Sequence, residues 1–273
     1  MNKNKLIVGI AILALSTSMI FTSCVRERDT DIELAKDEVI GDFVYSDAFH
    51  IASDASTKNT GENLANYKTT GYCASLIHDT MSSPRTMVID FGALNCMCND
   101  GRTRRGKILV AYTTHFSDSS NVINFNFENY FVNDYHVMGT QVVENKGHNL
   151  LGQSFFSQEV VGKILKADTT IKDTLQWNAS RQMTWVAGED TPMWFDDVYE
   201  TIGTGNGRGV RYEYYAMNIT QPLVREVMCR YIKAGKVELQ PQGKALRTID
   251  YGNGECDNQA SAEINNKRYA VDL

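Results

Sequence analysis

The first regular polarity pattern along the chain predicts a helix. Between residues 32 and 56, apolar residues recur at intervals of three and four, with Asp and Glu between them. This spacing gathers the apolar side chains on one face, so we expect an N-terminal amphipathic helix over residues 32–56. Thr30 and Asp31 are suitable residues to cap its start, whereas Gly41 weakens its middle. The polar stretch 57–66 is expected to be a loop.

From about residue 85 onward the pattern becomes that of β-strands. Apolar and polar residues alternate over 123–127, the period of two that a half-buried strand shows. Asn133-Asp134 and Asn265-Asn266 each separate two strand-like segments and predict two-residue hairpin turns. We expect the glycine-rich stretch 203–209 to form a longer hairpin loop. Because no long helical pattern separates these segments, the sequence predicts a mainly β fold, either an antiparallel sheet or a sandwich.

Two short segments of the chain are near copies of each other. Ile-Asp-Phe-Gly at 89–92 matches Ile-Asp-Tyr-Gly at 249–252, and each aspartate is followed six positions later by a cysteine. We therefore expect the β domain, residues 70–273, to contain two related units at about 85–112 and 230–273.

This internal similarity, which we call the echo, also predicts how the cysteines after Cys24 pair. It favours Cys73–Cys96 and Cys229–Cys256, each bridge closing a loop of about 25 residues, which the chain-entropy model values at about 3.5 kcal/mol. Cys98 is then unpaired. The alternative joins Cys73 to Cys98 and frees Cys96. A redox or metal role for Cys96 and Cys98 is disfavoured. A redox pair usually has two residues between its cysteines, and a metal site would need further ligands at metal-site spacing.

The N-terminal segment, residues 1–23, has the organisation of an export signal. Two lysines precede an apolar run of 16 residues, shorter than the roughly 20 residues that a membrane-spanning helix needs. Thr-Ser directly before Cys24 resembles a lipobox, so we expect cleavage there and lipid attachment to the sulfur of Cys24, with 24–31 as a tether. The membrane is therefore an expected partner. Val25 favours the outer membrane. The protein could lie on its periplasmic face or on the cell surface, and the sequence does not distinguish the two.

Charge and motif content exclude two further classes of partner. Loss of the signal segment removes two lysines and moves the net charge from −6 to −8, which argues against nucleic acid. Residues 101–107 match the first seven positions of a phosphate-binding loop, but Ile108 stands where Ser or Thr must hold magnesium. A nucleotide is therefore not expected, and no cofactor is predicted.

A local basic cluster is the first candidate for ligand binding. Arg102, Arg104 and Arg105 are close in sequence in an otherwise acidic chain. Guanidinium groups would suit phosphate or carboxylate groups of a glycan. The alternative is a charged strand that resists aggregation.

A group of aromatic and basic residues is the second candidate. Trp177, Arg181 and Trp185 share one face of a predicted strand. Exposed, these rings would stack on sugars, and the arginine would orient hydroxyl groups. The alternative is an ordinary core face, because large apolar side chains are more often buried.

Catalytic chemistry has little support in the sequence. It contains neither G-x-S-x-G nor H-E-x-x-H, and no calcium-binding loop of the EF-hand type. The acidic pairs Glu189-Asp190 and Asp196-Asp197 leave a carboxylate-dependent hydrolase as the lesser alternative, since such chemistry needs two carboxylates at a set separation.

Blocks of the chain resemble an uncharacterised family of exported Bacteroidetes lipoproteins. The resemblance rests on residues 89–108 and 249–258, together with Trp177-Asn178, Arg181 and Trp185, and it extends over roughly 70–273. It implies export and the cysteine framework, and it implies no activity. We therefore expect a non-enzymatic cell-envelope lipoprotein that binds a glycan or a partner protein. A structural or assembly component of the outer membrane is the alternative.

Overall fold

The computed structural model describes residues 29–56, 73–166, 174–191 and 196–272. These residues form one N-terminal helix and one large antiparallel sheet of 14 strands. The prediction of a mainly β fold with an N-terminal helix is confirmed, and of the two arrangements considered the structure has the single sheet. The predicted signal segment, the lipid site at Cys24 and the predicted loop at 57–66 lie outside the described residues.

The strands follow one another through the sheet almost in chain order. The sheet order is β1-β2-β4-β5 and then each strand in turn to β14, with the short β3 paired to β4. The elements are α1 Glu33–Ser56, β1 Ser75–Asp79, β2 Arg85–Asp90, β3 Cys96–Met97, β4 Thr103–Tyr112, β5 Val122–Val132, β6 Tyr135–His148, β7 Ser154–Lys166, β8 Thr174–Ala187, β9 Val198–Arg208, β10 Tyr214–Glu226, β11 Ala234–Pro241, β12 Arg247–Asn253, β13 Gln259–Ile264 and β14 Lys267–Asp272.

Helix α1 begins where the sequence places it. The Glu33 backbone N–H donates to the Asp31 carboxylate at 3.0 Å, so the Asp31 side chain caps the N-terminus of the helix. The expected amphipathic character is wrong, however. Asp37, Glu38, Asp42 and Asp47 are all buried, although they occupy the polar positions of the helical pattern. The helix therefore buries its polar side as well as its apolar side.

The sheet curves around this helix. Helix residues contact β2 near one edge of the sheet, β14 at the other edge, and β7 and β8 in the middle. Tyr45 illustrates the enclosure, because its hydroxyl donates to the Met138 carbonyl at 2.7 Å and its ring stacks on Trp177 at 5.5 Å. The concave side of the sheet is thus filled by the helix, and the core lies between them.

Two helix–sheet contacts explain particular glycines. A Cβ at Gly41 would lie 2.4 Å from Cδ1 of Trp177, and a Cβ at Gly162 would lie within 2.6 Å of the Tyr45 ring. Gly41, the weak helix former in the middle of α1, is therefore the position where the Trp177 indole packs directly on the helix backbone.

The turn predictions had different outcomes. Asn133-Asp134 and Asn265-Asn266 are two-residue turns with positive φ at both positions, as predicted. The glycine-rich stretch 203–209 was wrongly predicted as a loop, because β9 continues to Arg208. Side chains of β10 occupy the space above its glycines, since a Cβ at Gly205 would lie 2.8 Å from the Met217 methyl group.

The cysteines pair as the echo predicts. Disulfides join Cys73 to Cys96 and Cys229 to Cys256, and Cys98 is free and buried. The copied segments also share a local turn, because Asp90 and Asp250 each accept a hydrogen bond from the glycine two residues later.

The structure does not show two repeated units. The two Ile-Asp-x-Gly segments lie in β2 and β12, and each aspartate pairs across the sheet with the lysine of a Gly-Lys dipeptide, Lys107 or Lys236. The chain order is opposite in the two cases, since the lysine strand follows β2 but precedes β12. The echo thus marks two equivalent strand pairs within one continuous sheet.

Candidate functional site

The helix is held in the sheet by buried ion pairs. Arg181 of β8 reaches Glu38 at 3.2 Å and pairs with Asp42, and Lys166 at the end of β7 lies 2.7 Å from Asp37. Burial raises the pKa of Glu38, while Arg181 opposes that rise. Charges removed from water need partners with good geometry, and each of these three buried carboxylates is matched by a basic side chain of the sheet.

A second ion-pair cluster lies one to two turns further along the helix. Asp47 forms ion pairs with Arg104 at 2.7 Å and with Arg102 at 3.2 Å, and both arginines also form ion pairs with Asp100. Arg104 is fully buried and Arg102 nearly so. Burial lowers the pKa of Arg102, although Asp47 and Asp100 raise it.

A cleft of about 400 Å³ opens along the less buried face of α1. Its size falls within the roughly 300–1,000 Å³ of small-ligand sites. Helix residues one turn apart form its floor, and sheet residues from both sides form its walls. The lining residues are Lys36, Val39, Ile40, Asp42, Phe43, Arg102, Asn133, Tyr135, Lys166, Arg225, Arg230, Tyr231, Ile232, Tyr251 and Asp272.

Arg102 joins the two walls of the cleft. Its guanidinium lies 4.2 Å from the centre of the Phe43 ring and donates to the Arg230 carbonyl at 2.8 Å. The start of β4 is thereby tied to the segment between β10 and β11. A preformed site needs walls held in this way, because a ligand then binds without first ordering its site.

One polar atom in the cleft has no partner. The Tyr251 hydroxyl is buried and makes no hydrogen bond within the described residues, although Tyr251 lines the cleft. Burial is the main cause that raises the pKa of Tyr251, so the group is a neutral donor. A buried hydroxyl without a partner costs about 1–3 kcal/mol, so a ligand that reached this atom would gain a hydrogen bond.

Basic residues outnumber acidic ones in the lining of the cleft, five to two. Lys36 is half-buried in its 2.9 Å ion pair with Glu33, and no acidic side chain of the described residues forms an ion pair with exposed Arg230. The arrangement favours an anionic group with an apolar or ring-shaped part against the aromatic side chains.

The structure corrects the hypothesis that Trp177 and Arg181 form an exposed ligand platform. Trp177 is 1% exposed, and its indole N–H donates to Glu38 at 2.8 Å. Arg181 is 4% exposed and lies over the same indole ring. Both side chains face the concave side of the sheet, which α1 covers, so no sugar ring reaches them.

The remaining predicted ligand residues are scattered. Trp185 is half-buried and stacks on Tyr199 at 5.4 Å. Arg104 is enclosed, whereas Arg105 points to the other side of β4 and pairs with Asp134 at 2.6 Å. Only Arg102 of the basic cluster lines the cleft: alternation along the strand turns Arg105 to the opposite face, and Arg104 is enclosed by Asp47 and Asp100.

The acidic loop between β8 and β9 has one perturbed carboxyl group. Burial, and then the neighbouring Asp196, raise the pKa of Asp197 to about 6. Glu189 accepts hydrogen bonds from the backbone and hydroxyl of Ser154, and His148 lies 3.7 Å from the same carboxylate. The Ser154 hydroxyl has its shorter contact with Glu189 and a longer one, at 3.4 Å, with Nε2 of His148, so the acid competes with the histidine for the serine proton.

Sequence reasoning missed most of the cleft. Lys36, Tyr135, Arg230 and Tyr251 come from the helix, β6, the β10–β11 connection and β12, and they meet only because the sheet curves. The one available signal was the echo, since its second copy contains Tyr251 where the first has Phe91, and both side chains are buried.

In the described ranges, no group of three or more His, Cys, Asp or Glu side chains could hold a metal ion. No helix within those ranges has the length and apolar character to cross a membrane. No family model, curated protein or solved structure matches the chain.

Proposed function

We propose that this protein is a lipid-anchored envelope protein that binds a small acidic glycan in the cleft beside α1. The anchor part of the proposal rests on the N-terminal sequence, in which a short apolar run ends at Thr-Ser-Cys24. The ligand part rests on the geometry of the cleft. No catalytic step is included.

The observation that carries the ligand is the unpartnered Tyr251 hydroxyl in a cleft that also contains Arg230, which forms no ion pair within the described residues. Sugars offer hydroxyl groups to such a donor, and their ring faces stack on aromatic side chains such as Tyr231 and Tyr135. A carboxylate or sulfate on the sugar would pair with Arg230 and Lys36 at the mouth. A neutral sugar would use only part of this site.

The first test compares matched ligands. Uronic acid disaccharides and their neutral counterparts would be titrated into the protein by calorimetry, with thermal unfolding as a second readout. A ligand at 100 times its dissociation constant stabilises by about 2.7 kcal/mol, which is roughly 5–10 °C for a protein of this size. Equal affinity for the acidic and neutral sugars would contradict the proposed role of the basic mouth.

Two variants separate the contacts. Tyr251→Phe removes one buried hydroxyl and keeps the ring, so we expect unchanged or greater stability with a loss of about 5-fold or more in affinity. Arg230→Gln removes the charge and is expected to weaken acidic ligands selectively. Arg268→Gln is the matched control, because Arg268 is 70% exposed and lies outside this cleft. Unchanged affinity in both cleft variants would refute the site.

Other outcomes identify the alternatives. If only envelope proteins cross-link to residues of the cleft, the protein is better described as an assembly component. The raised pKa of Asp197 favours a second candidate, a hydrolase that uses the loop carboxylates. That candidate requires substrate turnover that Asp197→Asn abolishes while ligand binding in the cleft persists.

A further inference from the structure

The N-terminal chain enters the described structure at one rim of the sheet. Asp29 lies 2.9 Å from Arg247 at the start of β12, and its carbonyl accepts a hydrogen bond from Asn265 in the β13–β14 turn. Asp31 lies 2.8 Å from Arg211 in the β9–β10 turn. These contacts fix the start of the described chain against neighbouring turns of the sheet.

The proposed anchor lies very close to this rim in the sequence. Cys24 precedes Asp29 by five residues, which span at most about 18 Å when fully extended. If lipid is attached to Cys24, as the proposed function holds, the rim must lie within that distance of the bilayer surface. We call this rim the tether-end surface: residues 208–214, 242–247 and 263–268.

The tether-end surface is basic in an acidic protein. It contains six basic and two acidic residues, whereas the whole chain has a net charge of −6. Asp29 and Asp31 reduce the excess and do not remove it. The charged residues are Arg208, Arg211, Lys244, Lys267 and Arg268, with Glu213 and Glu263, and in addition Arg247, which is buried in its ion pair with Asp29.

The same surface exposes aromatic and apolar side chains. Tyr212 is 58% and Tyr214 57% exposed, and Leu246 in the neighbouring turn is 42% exposed. The Arg208 guanidinium lies 4.8 Å from the centre of the Tyr212 ring. Tyrosine and basic side chains are the residues that favour the membrane–water interface, where rings meet lipid headgroups and cations meet anionic lipid.

Tyr212 occupies a position that its turn does not require to be aromatic. Its φ is +63°, in the left-handed region that glycine and asparagine adopt most readily. The bulky ring therefore adds backbone cost and buries little, which favours a role at the surface.

From the length of the tether and the charge of this rim, we infer that the tether-end surface lies against the anionic face of the bilayer that holds the lipid anchor. The inference rests on the proposed anchoring at Cys24. It adds a defined orientation, in which the turn containing Tyr212 contacts headgroups and the β6–β7 turn, which contains Leu150, points away. The β6–β7 turn lies toward the C-terminal end of α1, because the strand that follows it contains Phe156, which packs on Phe49 in the C-terminal half of the helix.

The test uses the mature protein, lipidated at Cys24 and otherwise intact, on vesicles that contain phosphatidylglycerol with brominated acyl chains. Tyr212→Trp places a reporter on the tether-end surface. Leu150→Trp places one at a fully exposed position near the other end of the helix and is the matched control. Emission is compared with that of the unsubstituted protein, which has three tryptophans.

We expect bromine to quench the added emission of Tyr212→Trp and to leave that of Leu150→Trp unchanged, with less quenching on zwitterionic vesicles. We also expect amide hydrogen exchange of residues 209–214 in the unsubstituted protein to be slower on anionic vesicles than in detergent. This measurement checks the result without a substitution. Flotation of the protein with vesicles reports the anchor separately. Flotation without selective quenching or protection would overturn the orientation and leave the anchor standing, whereas absence of flotation would overturn both.

Discussion

Replacement of Gly41 by alanine tests whether local propensity or tertiary packing decides the stability of the helix. Alanine in a helix interior is favoured over glycine by about 1 kcal/mol, so propensity alone predicts a more stable protein. The structure predicts the opposite sign. An added Cβ would lie 2.4 Å from Cδ1 and 2.5 Å from Cγ of Trp177, far closer than van der Waals contact allows.

The indole cannot move away at low cost. Trp177 is 1% exposed, stacks on Tyr45 at 5.5 Å and donates its N–H to the buried Glu38 at 2.8 Å. Overpacking in such a site costs about 1–3 kcal/mol, and loss of a hydrogen bond to a charged group costs about 1.5–3 kcal/mol. After the gain in propensity, we expect a net loss of about 2 kcal/mol, or roughly 4–8 °C in Tm.

The assay is thermal and urea unfolding followed by circular dichroism. Ser46→Ala compared with Ser46→Gly measures the alanine preference at a half-exposed position of the same helix. The double variant Gly41→Ala with Trp177→Phe should recover part of the loss, because the smaller ring leaves room for the Cβ. A Gly41→Ala protein as stable as the original, or more stable, would refute the packing argument.

Three further substitutions test other parts of the structure. Asp47→Asn leaves fully buried Arg104 with Asp100 as its remaining carboxylate partner and should cost about 1.5–3 kcal/mol in urea unfolding, whereas a cost under about 1 kcal/mol would contradict the ion-pair cluster. The folded-state pKa of Asp197, about 6, exceeds the ordinary 3.8, so its stabilising contribution is present at low pH and is lost as pH rises from about 4 to 6. After allowance for solvent screening this amounts to about 1–2 kcal/mol, and Asp197→Asn should flatten the measured pH dependence; an unchanged slope would disprove it. Cys229→Ser opens a loop with a sequence separation of 27 and should cost about 3.5 kcal/mol, well above the effect of Cys98→Ala, and equal losses in calorimetry would argue against the assigned pairing.

Local sequence chemistry predicted those features that a few neighbouring residues determine. Asn133-Asp134 forms the expected turn because two consecutive positive φ angles suit asparagine and aspartate. The helix start follows from the Asp31 cap for the same reason, since donor and acceptor are two residues apart. The disulfides were predictable because each echoed aspartate has one cysteine six positions later and another one upstream.

The wrong predictions share a different physical origin. The stretch 203–209 looks like a loop because glycine has a low strand propensity, yet the side chains of Met217 and Tyr215 occupy the space above it. The acidic side of α1 looks like a solvent face because buried carboxylates are rare. The helix pattern alone cannot show that Arg181, more than 130 residues later, will lie opposite Glu38.

The sequence by itself thus determined the mainly β class, the helix with its cap, the tight turns and the cysteine pairs. It also carries the lipobox pattern at Cys24, which remains a prediction. Only the tertiary structure decided which charges are buried, and that the sheet curves around the helix. The cleft, with Tyr251 and Arg230 beside Lys36, exists because this curvature brings together residues distant in sequence, and such long-range contacts leave no local pattern in the chain.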